Sequence, residues 1–442
     1  MKVRKKKLSS YQIIIYGFLL IIMIGSLLLM LPVSTRGNES ASFGDALFTA
    51  TSAVCVTGLV VRDTATYWSE FGQVVILLLI QIGGMGVVTM AVLIARVSGK
   101  KIGLMQRSTL QETLGAPQVG GIVRLTAFII RLTVTFEICG AILLMPTFMK
   151  DFDMLKGIWY SLFHSVSAFC NAGFDLMGIN SKFSSLTAYS GNPVVIFTIM
   201  GLIVIGGIGF LTWEDIASNR FHFRKYRMQS KVILSVTFLL IVIPALYFYL
   251  AEFTELGFVE RICASLFQSV TTRTAGFNTE DLTLLSESGI AVMVLLMVIG
   301  GSPGSTAGGM KTTTLAVLFS SAIAVFKRDG EAHLFRRKIP DNTIRNAGAI
   351  LMIYIVLFIG CGIFISAYEQ IPLLPCVFET ASAIGTVGLT LGITTQLHMA
   401  SRYLLIFLMF FGRVGGLTLV FAAISSKYTA KSRLPQEKII VG

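Results

Sequence analysis

The sequence predicts an all-α polytopic membrane protein assembled from four similar span–half-helix–span units. Three observations carry that prediction. The 442 residues are 54% apolar and only 13% charged, whereas soluble domains carry roughly a quarter charged residues. Eight apolar stretches, at about 11–31, 71–94, 122–147, 192–213, 231–251, 288–325, 345–367 and 402–424, approach or exceed the roughly 20 helical residues that a bilayer crossing needs. One pattern also recurs four times: a short helix-like segment, a lone glycine with a large apolar residue after it, then an apolar span. The copies are residues 46–59 (ALFTATSAVCVTGL), 161–174 (SLFHSVSAFCNAGF), 265–277 (SLFQSVTTRTAGF) and 376–389 (CVFETASAIGTVGL). Their glycines, Gly58, Gly173, Gly276 and Gly388, are 115, 103 and 112 residues apart. So long a repeat in an apolar chain implies four units around a common axis.

The elements follow in order. A basic start (Lys2, Arg4, Lys5, Lys6, Lys7) leads into Ile13–Leu31, which lacks an A-x-A-like cleavage site and is read as the first span. The units divide as 11–107, 108–225, 226–335 and 336–425, between an N-terminus at 1–10 and a tail at 426–442. Eight spans place both termini on one side. The segments on that side hold 26 of the 36 basic residues, against eight on the other, so the positive-inside rule makes both termini cytoplasmic at the plasma membrane. The net charge of +13 thus reflects topology and membrane lipid rather than nucleic acid. Glu112, Glu214 and Asp215, near the cytoplasmic ends, read as solvated surface.

Composition excludes several classes. The six cysteines stand singly with no CxxC pair, and the four histidines have no HExxH spacing, so disulfide, metal and nucleophile–base constellations are absent from the pattern and an enzyme reading has little to stand on. No organic cofactor is expected in this chain.

Within each unit the segments at about 44–55, 158–170, 261–272 and 375–384 are too short to cross and fit half-helices that enter and turn back. Irregular backbone at membrane depth persists only where it is buried in protein or faces water, which makes the strips that follow the expected pore lining. These are Cys55-Val56-Thr57-Gly58, Cys170-Asn171-Ala172-Gly173, Arg273-Thr274-Ala275-Gly276 and Gly385-Thr386-Val387-Gly388. They have no anionic side chains, so a dehydrated cation must be held by backbone carbonyls, with glycine permitting the positive φ that turns them. The C-terminal ends of the half-helices add negative dipole potential. Thr57 and Thr386 offer hydroxyl oxygens. The fold expected is therefore four span–pore-helix–span repeats in a pseudo-fourfold arrangement around one ion pore.

The motifs VTGL (56–59), NAGF (171–174), TTRTAGF (271–277) and GTVGL (385–389) resemble those of KtrB-type subunits in the Trk/Ktr/HKT potassium transporter superfamily, over about residues 11–425. The resemblance implies a filter role for Gly58, Gly173, Gly276 and Gly388, and potassium as the ion, with sodium a second candidate. In plant relatives serine at the first of these sites accompanies sodium selectivity, and here the residue is Gly58. It also implies a homodimer and a KtrA-like cytosolic ring of nucleotide-binding RCK domains. The basic loops 220–231 and 327–345 and the tail 427–442 are the available docking surface. A TrkH-like transporter is the related alternative, although this chain begins directly with the first unit's span.

The sixth span is interrupted by Gly300, Gly301, Ser302, Pro303, Gly304, Ser305, Gly308, Gly309 and Lys311, so a broken helix with a loop is expected near mid-membrane. A Walker A reading fails because Met310 separates Gly309 from Lys311 and no strand precedes. The resemblance implies a gating loop here. Arg413 lies deep in the last span, where units one and two read Ile82-GGM-Gly86 and Ile205-GGI-Gly209. So deep a cation faces a cavity or a partner, and loop carbonyls of 300–310 are the expected partners. In the family this arginine adds to the barrier below the filter. Lys311 is read either as part of this gate or as a side chain that reaches cytoplasmic water. Arg273 is expected to brace its strip, with Asp45 and Glu379 read as its partners or as solvated caps of the re-entrant helices. The rival class, a cation-coupled carrier, needs a mid-span carboxylate, for which Glu137 is the one strong candidate.

Overall fold

The computed structural model describes residues 9–37, 39–97, 107–111, 121–179, 181–220 and 222–423. Unit one comprises α1 (Ser10–Leu29), α2 (Phe43–Val54), α3 (Glu70–Met85) and α4 (Val87–Val97). Unit two has α5 (Ile122–Asp151), α6 (Met154–Phe169), α7 (Pro193–Ile208) and α8 (Phe210–Asn219). Unit three has α9 (Met228–Ala251), α10 (Phe258–Thr271), α11 (Glu287–Ile299) and α12 (Thr312–Phe326), and ends in a hairpin of β1 (His333–Leu334) and β2 (Arg337–Lys338). Unit four has α13 (Asp341–Glu369), α14 (Leu373–Gly385), α15 (Met399–Val414) and α16 (Gly416–Ala423).

The first helix of each unit is long and apolar enough to cross a bilayer. These four helices stand on the outside, and each leaves most of its apolar surface uncovered, as a helix solvated by lipid does. Half-helix α2 is buried over most of its length, and α6, α10 and α14 are buried through their C-terminal parts, the ends that lead into the strips. Polar caps set several starts: Ser42 accepts from Asp45 N before α2, and Ser69 and Ser286 cap α3 and α11. Each half-helix is stopped by left-handed backbone one to three residues beyond it, at Val56, Asn171, Thr274 and Thr386, with φ of 57°, 60°, 71° and 52°.

The second spans correct one expectation. The stretches 71–94, 192–213 and 402–424 read as continuous, yet all three break. The chain turns by 100° between α3 and α4 and by 92° between α7 and α8, and α15 stops before α16. Gly86, Gly209 and Gly415 supply the φ values of +85°, +98° and +90° at these breaks, backbone that side chains rarely tolerate. The break of unit three, expected from its sequence, is the longest of four.

The acids expected as solvated surface need a second correction. Glu214 pairs with Arg227 at 3.6 Å on the surface, but Asp215 is buried and accepts from Arg227 N at 2.7 Å and Asn219 Nδ2 at 2.8 Å. Glu112, the basic start and the tail 426–442 lie outside the described residues.

Units one and four are joined across the ring by a charged clamp. Asp45, in the first turn of α2, accepts from Arg62 Nε at 3.0 Å and from Arg402 Nη1 of α15 at 3.1 Å. Its carboxylate is 6% exposed, so removing it leaves a largely covered guanidinium uncompensated. Asp45→Ala is expected to cost about 2–3 kcal/mol, read as a melting temperature lowered by several degrees in detergent, with Asp45→Asn intermediate.

Candidate functional site

The four strips close a ring. A β-carbon built on Gly58 would lie 2.5 Å from Ala172 O, and one on Gly173 would lie 2.6 Å from Ala275 O. The same test brings Gly276 against Val387 O and Gly388 against Thr57 O. Each glycine thus faces the carbonyl that precedes the next unit's glycine, in the order one, two, three, four and back to one. All four have positive φ, from +66° to +95°, so sterics and dihedral both exclude a side chain.

Strip N–H groups turn back into their own half-helices, leaving strip carbonyls for the centre. Thr57 N donates to Ser52 O, Ala172 N to Ser167 O and Val387 N to Ser382 O, each at 2.8 Å. The same serines use their hydroxyls on the strip as well: Ser52 Oγ accepts from Gly58 N and Ser382 Oγ from Gly388 N, each at 3.1 Å, while Ser167 Oγ donates to Phe174 O at 2.7 Å. In unit three Thr271 Oγ1 bonds Phe277 O. Sequence reasoning missed these hydroxyls, although Ser52, Ser167 and Ser382 sit at one offset, six residues before their glycines.

The predicted strip residues fall where expected, with differences in role. Cys55 and Cys170 are buried helix caps, and Gly385 is still helical as the last residue of α14. Thr57 Oγ1 and Thr386 Oγ1 are buried without a hydrogen-bond partner among the described residues, so both remain available to a cation. The Asn171 amide contacts Thr274 Oγ1 at 3.3 Å, linking strips two and three. Arg273 points outward to Thr237 Oγ1 of α9 at 3.4 Å, the bracing direction. The partners expected for it are corrected: Asp45 belongs to the clamp, and Glu379 accepts from Thr390 at 2.7 Å and from Thr394.

On one side of the ring is a cavity of about 130 Å³, lined by all four glycines together with Asp63 and Asp175. Asp63 is fixed by Thr66 and by Phe183 N at 2.9 Å, and Asp175 by Met177 N at 2.9 Å. Burial, with the charge of Asp63 adding to it, pushes the Asp175 carboxyl up to about 7 against the opposing Met177 N–H. Neither acid was singled out from sequence, because both sit in loops without a repeat.

On the other side the segment 300–311 fills the centre. Ser302 N, Thr306 N and Gly304 O bond Gly207 O, Gly206 O and Phe210 N at 3.1, 3.2 and 2.8 Å, which ties the loop to the bend of unit two. Thr306 Oγ1 reaches Phe169 O at 3.1 Å. Gly308 packs on Thr386, where a β-carbon has no room. Arg413 donates to Thr306 O, Gly83 O and, at 3.1 Å, Gly84 O, so the expected loop partner is joined by unit one. Lys311 stays with the loop: its Nζ donates to Ala307 O at 2.8 Å and Gly308 O at 3.2 Å. Both cations line a cavity of about 180 Å³ below the ring.

Three further glycines let the spans approach. Side chains at Gly83, Gly206 and Gly412 would strike Val54 O, Phe169 O and Ile384 O, the carbonyls at the ends of α2, α6 and α14. Each stands three residues before the bend glycine of its span. Glu137, the carboxylate a coupled carrier would need, is 6% exposed and accepts from Gln81 at 3.2 Å beside Cys170.

Comparison with known proteins gives a concordant picture. The family model described as "TrkH: Cation transport protein" matches residues 4–432. The chain is 40% identical to the potassium/sodium uptake protein NtpJ of Enterococcus hirae, covering 99% of this chain and 98% of that protein. It is 41% identical to the Ktr system potassium uptake protein B of Bacillus subtilis, over 98% and 96%. The potassium transporter TrkH from Vibrio parahaemolyticus has a similar fold, with a TM-score of 0.76 at 20% identity over 96% of this chain and 86% of that one.

The ring geometry predicts that Gly388→Ala, which places a methyl against Thr57 O and Gly58 Cα at φ +95°, costs at least about 1–2 kcal/mol from the left-handed backbone alone. Thermal unfolding in detergent checks it. Gly360→Ala, in the interior of α13 with no atom within 4 Å of its new methyl, is the control expected not to lower the melting temperature, since alanine favours a helix over glycine.

Proposed function

The chain belongs to the TrkH cation transport protein family, and on that premise we propose that it forms the potassium-conducting pore of a Ktr-type uptake system. The observation that carries this reading is the ring in which Gly58, Gly173, Gly276 and Gly388 each abut a neighbouring strip's carbonyl. Potassium sheds water at the ring and is held by carbonyl oxygens of residues 55–57, 170–172, 273–275 and 385–387, with Thr57 and Thr386 as auxiliary ligands. One glycine turn per strip gives few sites, hence weaker rejection of sodium than a long filter column. That the Enterococcus relative is a potassium/sodium uptake protein supports sodium as a second ion.

Flow runs from the acidic cavity, taken as the outer mouth, to the basic one. That orientation puts both termini in the cytoplasm at the plasma membrane, as the distribution of basic residues requires. The segment 300–311 with Lys311 and Arg413 is the gate: it occupies the path below the ring and sets two like charges against the ion. At an effective dielectric constant of 20, one unit charge about 6 Å away opposes the ion by about 3 kcal/mol, so moving loop and arginine together opens the path. A homodimer and a nucleotide-binding RCK ring docked on loops 220–231 and 327–345 complete the system by resemblance to Ktr systems, and the loop's movement is the step that such a ring would control.

Uptake by potassium-transport-deficient cells tests the two assignments together. Gly58→Ser is expected to lower the potassium-to-sodium permeability ratio several-fold, and deletion of 301–309 to raise flux and make it independent of partner. Unchanged selectivity and unchanged flux overturn both.

The mouth makes a separate pH prediction. Asp175 is charged above about pH 7 and neutral below, so uptake from sub-saturating potassium should fall as external pH drops from about 8 to about 6, where the ionised fraction goes from about nine-tenths to about one-tenth. Asp175→Asn should flatten that profile at its acid-limb value.

A further inference from the structure

Between α9 and α12 lies an outward-facing cleft of about 490 Å³ that no part of the conduction path uses. Leu239 and Ile243 of α9 and Leu315, Phe319 and Ile323 of α12 form its walls, and the small side chains of Ala316 and Ala324 keep its floor low. The apolar surface continues beyond it through Phe238, Leu246 and Phe326, all exposed. Its mouth differs in chemistry: Lys327 and His333 stand there with Asp329, and Arg328 follows in the same exposed turn. Ser320 Oγ donates to His333 O at 2.9 Å and holds the hairpin against α12. Lys338 is ion-paired with Glu331, whereas Lys327 has no carboxylate within ion-pair distance among the described residues.

We propose that this cleft binds one anionic phospholipid, acyl chain between α9 and α12 and headgroup at Lys327, and that its occupancy steadies the segment 300–311. Length and lining select the occupant. From Leu315 to Lys327 the helix rises about 18 Å, and the walls along it are apolar up to the basic mouth, a sequence that an extended hydrocarbon chain with its headgroup at Lys327 matches. Charge selects the headgroup: Lys327 and Arg328 outweigh Asp329, and each basic residue near an anionic leaflet adds about 1 kcal/mol of attraction.

The link to the gate is covalent and short. α12 starts at Thr312, directly after the loop, and the joint is laced by Thr312 N to Gly301 O at 2.9 Å, Ser302 Oγ to Thr312 Oγ1 at 3.2 Å and Thr314 Oγ1 to Met310 O at 2.9 Å. Leu315 and Ala316, at the inner end of the cleft, lie about one turn from that joint. This second clause rests on the gating reading above; the binding clause does not.

Native mass spectrometry of the purified full-length protein, with phosphatidylglycerol or phosphatidylcholine of matched chains, reads binding; potassium flux in liposomes of the same lipids reads the coupling. The wild type should retain one phosphatidylglycerol per chain under activation that strips phosphatidylcholine. Lys327→Gln should cut that preference at least five-fold, and Ile243→Trp, which fills the cleft from its exposed rim, should abolish retention of both lipids. Flux should be several-fold higher in phosphatidylglycerol for the wild type and equal in both lipids for the variants. Equal retention of the two lipids by the wild type, or phosphatidylglycerol retention unchanged in both variants, overturns the site. Dissociation of a dimer by Ile243→Trp would assign the cleft to a second copy and overturn it too. Selective binding with flux indifferent to headgroup overturns the coupling clause. Selective binding in a protein that moves no potassium supports the site and counts against the pore reading.

Discussion

Four backbones meet at the centre of this protein with no room for a β-carbon between them, and much of the surrounding structure serves that contact. The glycines tolerate the approach, and left-handed residues before them turn the chain away from each half-helix. Strip N–H groups fold back onto the last turns of the half-helices, and among the described residues no hydrogen bond is made to the carbonyls where the strips converge. Burying such carbonyls is costly unless water or a cation satisfies them, which is the physical basis of the proposed cation site.

Holding the half-helix ends in place requires a second set of close contacts. Gly83, Gly206 and Gly412 bring span backbones against the terminal carbonyls of α2, α6 and α14, and Gly86, Gly209 and Gly415 then bend the spans aside. The spacing of three puts contact and bend about one turn apart, so one short glycine motif performs both tasks. In unit four the residue after the contact glycine is Arg413, where units one and two have Gly84 and Gly207. The exchange turns a packing position into a cation that ties units one, three and four together.

The two faces of the ring differ in charge in the sense that a cation path needs. Asp63 and Asp175 are supplied by loops, Lys311 and Arg413 by interrupted spans. Both cations donate to loop carbonyls, which compensates them without any carboxylate. Such compensation depends on the loop's conformation, so the loop and the two charges form one connected unit. The cleft on α12 adds a lipid-facing handle to the same unit.

What the sequence by itself determined was periodic and local. Hydropathy marked the eight spans, the fourfold repeat marked the half-helices and the ring glycines, and the glycine–proline run marked the break at 300–311. Each reads from chain-neighbour chemistry: apolar length, helix-breaking residues, and φ that only glycine adopts readily. The tertiary structure decided what depends on residues distant in the chain. It paired Asp45 with Arg402, turned Lys311 back onto its loop, buried Asp215, bent three spans that read as straight, and placed Asp63 and Asp175 over the ring. The GG motifs at 82–86 and 205–209 were visible as sequence, but whether a glycine serves helix packing, a bend or a ring is set by which atom would meet its missing β-carbon, and that atom belongs to another element.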